Sequence, residues 1–119
     1  MQFMLMCCFD ERRWDNLPEV QRQKIMHDYG AFERGIVNSG HFLATAKLQP
    51  TSAAATVREK NGKRVATDGP FAETKEQLGG IHLIECKDLE EAIAIAGRIP
   101  TLPAGGAIEV RAVMRMSQK

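Results

Sequence analysis

Several things are scarce in this chain of 119 residues. No apolar run approaches the roughly 20 residues a helix needs to cross a bilayer, so no membrane partner is expected. Net charge is almost absent, since 16 Lys and Arg against 15 Asp and Glu leave a formal +1. A nucleic-acid binder usually carries a basic stripe. None is visible here, so direct nucleic-acid binding is not expected. Cysteine is limited to Cys7, Cys8 and Cys86, with no Cys-x-x-Cys pair. Neighbouring strand residues point to opposite faces, so Cys7 and Cys8 are expected to act apart, as reduced and buried small hydrophobes. The histidines, His27, His41 and His82, lack ligand spacing. Zinc sites typically need three or four ligands, so neither a metal nor a cofactor is expected. There is no Gly-x-Ser-x-Gly elbow, and no Gly-Lys-Ser/Thr follows the glycines as a phosphate loop requires. Met1 to Phe9 is apolar but short and runs into Asp10-Glu11-Arg12-Arg13 without a small-residue cleavage site. It does not read as a signal peptide, and the cytoplasm is the expected location.

What is present is ordinary globular material, 44% hydrophobic and 26% charged. A single domain over residues 1–119 is expected. Gln2 to Phe9 reads as a strand with Phe3, Leu5, Cys7 and Phe9 on one face and Met4, Met6 and Cys8 on the other. Both faces are apolar, so both should be covered. Two helices can cover one face, and covering the other implies a second sheet and hence a homodimer.

A helix is predicted from Pro18 to Ser39, with Pro18 at its first position and Ile25, Tyr29, Phe32 and Ile36 as its buried stripe. His41 to Leu48 reads as a second strand. Thr56 to Lys60 and Lys63 to Thr67 flank Asn61-Gly62, a strong hairpin signal. Ile81 to Lys87 is a further strand. Asp88-Leu89-Glu90-Glu91 has capping-box spacing and opens a helix to about Arg98, with Leu89, Ala92, Ile93 and Ala96 inward. Ala107 to Met116 closes the chain as a strand, with Ile108, Val110, Ala112 and Met114 on one side. The expected fold is α+β, ferredoxin-like (βαββαβ), with an inserted β-hairpin and a dimeric α/β-barrel assembly. The first strand and the one carrying His82 should lie in the middle of the sheet.

The densest chemistry lies in Asp68-Gly69-Pro70-Phe71-Ala72-Glu73-Thr74-Lys75-Glu76-Gln77-Leu78-Gly79-Gly80. A polar, glycine-rich connection between strands is a candidate binding loop. Asp68 either fixes the turn through its own backbone or contacts a ligand, and the two roles are compatible. Glu73, Lys75 and Glu76 are acid–base candidates or merely solvate a short helical turn over Ala72 to Gln77. His82 is either a satisfied core histidine or a site residue in an inter-sheet cleft. Tyr29 suits the core, with a hydroxyl able to reach a pocket. Glu109 and Arg111 alternate with apolar residues and either line a dimer cleft or pair with neighbours.

The Asp68 to Gly80 stretch resembles the YCII-related, or DGPF-domain, family of small bacterial proteins. Tyr29-Gly30-Ala31-Phe32, Leu48-Gln49-Pro50, Asp88-Leu89-Glu90-Glu91-Ala92 and Glu109-Val110-Arg111 support the resemblance, which spans nearly the whole chain. It implies a ferredoxin-like domain that pairs into a dimeric barrel. It also implies, for some relatives, action on small aromatic compounds through a histidine–aspartate pair. For others it implies a link to RNA polymerase sigma factors. Here Tyr29 stands at the helix histidine and Ile99 at the aspartate before Pro100, so the pair is absent. The preferred expectation is a small molecule bound beside the Asp68–Glu76 loop, near Asp68, Phe71, Glu73 and His82, with Tyr29 and Arg111 as further ligand contacts. Cofactor-free general acid–base chemistry would draw on Asp68, His82 or Glu73. The competing reading is a non-catalytic regulatory or interaction module tied to sigma-factor machinery.

Overall fold

A computed structural model of the chain describes residues 1–115. Its elements are β1 (Gln2–Phe9), α1 (Glu11–Asp15), α2 (Glu19–Asn38), β2 (Phe42–Lys47), β3 (Ala55–Lys60), β4 (Lys63–Asp68), β5 (Gln77–Glu85), α3 (Leu89–Ala96) and β6 (Ala107–Ala112). Four strands form an antiparallel sheet in the order β2-β5-β1-β6. The architecture is α+β and compatible with a ferredoxin-like fold. As expected, β1 and the strand carrying His82 are central.

The alternation in β1 sets the layers. Phe3, Leu5 and Cys7 are buried with Ile84, Phe32, Ile36, Ala92, Ile95, Ala96 and Ile99 in one core. The other face carries Met4, Met6, Cys8, Ile81 and Leu83, all only half-buried. Both long helices pack on the first face, so the second has no helix over it.

α2 is held at both ends. Pro18 is the cap rather than the first helical residue, since its missing N–H costs nothing there. At the far end Gly40 takes φ 82°. The Gly40 N–H donates to the Val37 carbonyl and the His41 N–H to the Ile36 carbonyl, which is the Schellman closure. Ile25, Phe32 and Ile36 are buried, and Tyr29 packs half-buried against them.

Four local readings need correction. α1 was not expected; Asp10 caps it, its carboxylate accepting from the Arg12 and Arg13 N–H groups. In α3 the inward residues are Ala92, Ile95 and Ala96, while Leu89 and Ile93 are half exposed at 50% and 54%. The helix is turned about its axis because Ile95 and Ile99 reach the core. Its box is real but shifted: the Asp88 carboxylate accepts from the Glu91 N–H, and the Glu91 carboxylate accepts from the Lys87 N–H. Third, β5 starts at Gln77, so Gly79 and Gly80 are strand residues. Fourth, no helical turn forms over Ala72 to Gln77, because the Gln77 amide donates to the Ala72 and Thr74 carbonyls instead. The last strand ends at Ala112; its expected end at Met116 lies outside the described residues.

β3 and β4 pair only with each other, as a two-stranded sheet. Asn61 and Gly62 both have positive φ, 51° and 79°, the two-residue turn whose twist suits a hairpin. Every ribbon residue is exposed except half-buried Thr56. The radius of gyration is 16.5 Å, against about 13.5 Å for a compact chain of this length.

Gly79 is an extra residue in β5: Cys7 pairs with Gly80 and Cys8 with Leu78. Such a bulge bends a strand locally. A Cβ on Gly79 would meet the Phe9 ring at 2.1 Å. Gly79→Ala should therefore lower stability by about 1–3 kcal/mol through overpacking, read as a lower urea midpoint at unchanged slope.

Candidate functional site

The Phe9 ring and the two glycines border a cavity of about 150 Å³. Its floor is the sheet: Cys7 and Phe9 from β1, Thr45 to Lys47 from β2, and Gly79, Gly80 and His82 from β5. Its roof is α2, through Met26, Tyr29 and Glu33. Trp14 and the turn from Thr101 to Gly106 close the side. Neither floor glycine has room for a side chain: a Cβ on Gly79 would meet the Phe9 ring and one on Gly80 the Ala46 carbonyl. Trp14 meets Phe9 edge to face with centroids 6.3 Å apart, which braces one wall.

Among the polar side chains of this mostly apolar lining, those of Cys7, Tyr29, Thr45 and His82 are joined. His82 is 2% exposed and is the buried polar residue of the core. Its Nε2 lies 2.5 Å from the Tyr29 hydroxyl, and its Nδ1 lies 3.0 Å from Thr45 Oγ1. The Thr45 hydroxyl donates to the Ile81 carbonyl at 3.1 Å. The Tyr29 oxygen is 3.4 Å from Cys7 Sγ. The His82 ring stacks on Tyr29, with centroids 5.5 Å apart and planes 28° apart, and meets Phe32 edge to face. Among the described residues no buried side-chain nitrogen or oxygen lacks a partner, as burial of polar groups demands.

Electrostatics keep this network neutral. Burial pushes the His82 imidazole below its ordinary value. Burial, with the contact to Cys7, pushes the Tyr29 hydroxyl well above its own. The Cys7 thiol is raised, mainly by burial. A thiolate nucleophile at Cys7 is disfavoured, while a neutral imidazole is a competent base. The lining also carries charged side chains, Asp10, Glu33 and Lys47.

Of the site residues expected from sequence, Tyr29 and His82 line the cavity. Asp68, Phe71, Glu73 and Arg111 do not. Asp68 ends β4 opposite Ala55. Phe71 is 78% exposed, its carbonyl accepting from Arg58. Glu73 is exposed in the following bend. Arg111 lies on the helix-free face of the sheet, 3.6 Å from Glu109. The ribbon carries Asp68 to Glu73 off the sheet, so within one chain only Gly79 and Gly80 of that stretch reach the cavity. Thr45 and Cys7 were missed as site residues. Thr45 stands opposite His82 in the β2–β5 register, a pairing with no trace in the linear sequence. Cys7 was signalled by sharing a strand face with Leu5, but only as core. Among the described residues no three histidine, cysteine or carboxylate side chains converge to hold a metal, and no helix is long and apolar enough to cross a membrane.

The fold and cavity define a small α+β domain with a polar network buried beneath one helix. The chain belongs to the YCII-related domain family, whose model matches residues 1–117. It is similar to an uncharacterised protein of Rhizobium meliloti (strain 1021), with 39% identity over 112 residues, 93% of this chain and 90% of that relative.

Burial of neutral His82 has a pH consequence. Below about pH 6.5, the ordinary histidine value, the unfolded chain takes up a proton that the folded one resists. Stability is then lost as pH falls from about 6.5 toward the depressed folded value, and is unaffected by this group above it. His82→Gln should lower stability at pH 7.5, yet show a shallower loss of melting temperature between pH 7 and pH 5 than the parent. Parallel melting curves against pH would show that another group is responsible.

Proposed function

We propose that the chain binds a small, ring-sized molecule in the cavity beneath α2, and that the Tyr29–His82 pair exchanges a proton with it without a cofactor. The observation that carries this is a cavity of about 150 Å³ that holds an interconnected, neutral polar network. An apolar cavity of that size holds benzene. An apolar pocket with a few convergent polar groups is the usual form of a small-molecule site. His82 supplies a neutral imidazole, held below its ordinary pKa by burial, and both it and Tyr29 line the cavity. This is the geometry general acid–base chemistry requires. Titration calorimetry with toluene and phenol should detect binding. Met26→Trp, placed at the half-exposed roof, should abolish it without loss of fold. A parent protein that binds no ring compound would favour a non-catalytic interaction module instead.

The face of Met4, Met6, Ile81 and Leu83 supports a second element of this reading, a homodimer formed sheet to sheet. These apolar side chains lie on central strands with no helix over them. In such a pair the exposed Phe71 and the Asp68–Glu73 segment would extend toward the second subunit, where Arg111 also lies at the rim. Light scattering at micromolar concentration should give twice the chain mass. Leu83→Asp, which buries a charge at that contact, should give a monomer that keeps ring binding if the cavity is complete within one chain.

A further inference from the structure

The hydroxyl of Thr45 has one proton to give and two neighbours to satisfy. The Ile81 carbonyl, 3.1 Å away, can only accept. His82 Nδ1, 3.0 Å away on the other side, can donate or accept depending on tautomer. With the proton on the carbonyl, Thr45 offers His82 only a lone pair, and Nδ1 must carry the ring's hydrogen. A neutral imidazole has one N–H, so Nε2 is bare. The Tyr29 hydroxyl, 2.5 Å from Nε2, then spends its only proton on that nitrogen. Cys7 Sγ, 3.4 Å from the same oxygen, is left as a weak donor to it. In the opposite arrangement Thr45 donates to Nδ1 and Nε2–H donates to Tyr29. The tyrosine proton would then have, among neighbouring protein atoms, only the cysteine sulfur as acceptor, and sulfur is a poor one. The first arrangement gives each O–H a strong acceptor.

We propose that Thr45 is a positioning residue that fixes His82 as the Nδ1–H tautomer, so that Tyr29 presents an acceptor to the cavity and the site selects ring compounds bearing a hydrogen-bond donor. This rests on the cavity being the binding site. A ligand hydroxyl or amine can donate to the free lone pair of Tyr29 while the internal network stays intact. A ligand carbonyl can bond there only if Tyr29 turns its proton away from His82, leaving a buried nitrogen bare. Unmade buried bonds are costly, and the discrimination should be about tenfold or more. The same polarity gives a direction for proton movement. A donor ligand passes its proton to the Tyr29 oxygen as Tyr29 passes its own to His82 Nε2, leaving an anionic ligand and an imidazolium, with no external reagent.

The test has two readouts. Long-range proton–nitrogen correlation spectra of nitrogen-labelled protein should show His82 protonated at Nδ1 and bare at Nε2. Calorimetry should rank phenol, a donor, above toluene, its near-isostere, and above benzaldehyde, an acceptor only. Thr45→Val, which removes the lone pair facing Nδ1, should release the tautomer and erase the preference for phenol. Thr45→Ser should retain both. An Nε2–H tautomer in the parent would overturn the proposal, as would benzaldehyde binding as tightly as phenol. Binding of none of the three probes, with Nδ1–H observed, would overturn the ligand reading and the selectivity with it, while the role of Thr45 in fixing the tautomer would stand.

Discussion

A histidine on the helix side of a central strand must have both ring nitrogens satisfied without water, and much of this molecule follows from that demand. Desolvating an imidazole is costly unless its hydrogen-bonding groups are paired. His82 meets the requirement with one partner from α2 and one from β2. The network therefore ties three elements that are far apart in the sequence. It also ties the middle of α2 to the sheet beside the cavity. Around it Ile36, Ile84 and Leu5 add packing in the core. α2 is thus held by two kinds of force, packing at Ile25, Phe32 and Ile36 and directed polar contacts at Tyr29.

The cavity lies beside those polar contacts. Close-packed interiors leave few voids larger than a water molecule, so an opening of this size needs a structural cause. It lies where β5 is irregular, at the bulge of Gly79 beside the Phe9 ring. Phe9 occupies the space a Gly79 side chain would take, which sets the edge of the void rather than filling it. Chemistry and space are thus both set along β5, within four residues of one another.

How much of this was legible in the sequence depended on the range of the interaction. The two faces of β1 could be assigned residue by residue, because an apolar period of two is a local property. The Asn61-Gly62 turn was equally plain, since positive φ at both positions is a demand on residue type. The stripe of α2 was legible too, including Tyr29. By contrast, nothing local distinguishes Leu89 from Ile95 as the inward residue of α3. Both are apolar, and the choice is made by the rotation of the helix on the sheet. The site shows the same division. His82 and Tyr29 stood out as lone polar groups among apolar neighbours, whereas Thr45 acquires its role from the register between two strands. The charged stretch from Asp68 to Glu73 drew attention by composition. Within one chain it starts at the base of the ribbon, where Asp68 pairs with Ala55, and does not line the cavity, because composition does not say where a hairpin returns its chain.

The ribbon also divides the molecule in time. A two-stranded hairpin is marginal by itself in water, and β3 and β4 gain little burial from the rest of the chain. Its amide hydrogens are protected only by the ribbon's own opening equilibrium, while those of β1 and β5 are protected by the free energy of the whole core. Solvent exchange would therefore run on two clocks within one chain, fast from Ala55 to Asp68 and slow along the central strands. The ribbon can open and close many times during the life of a single folded core.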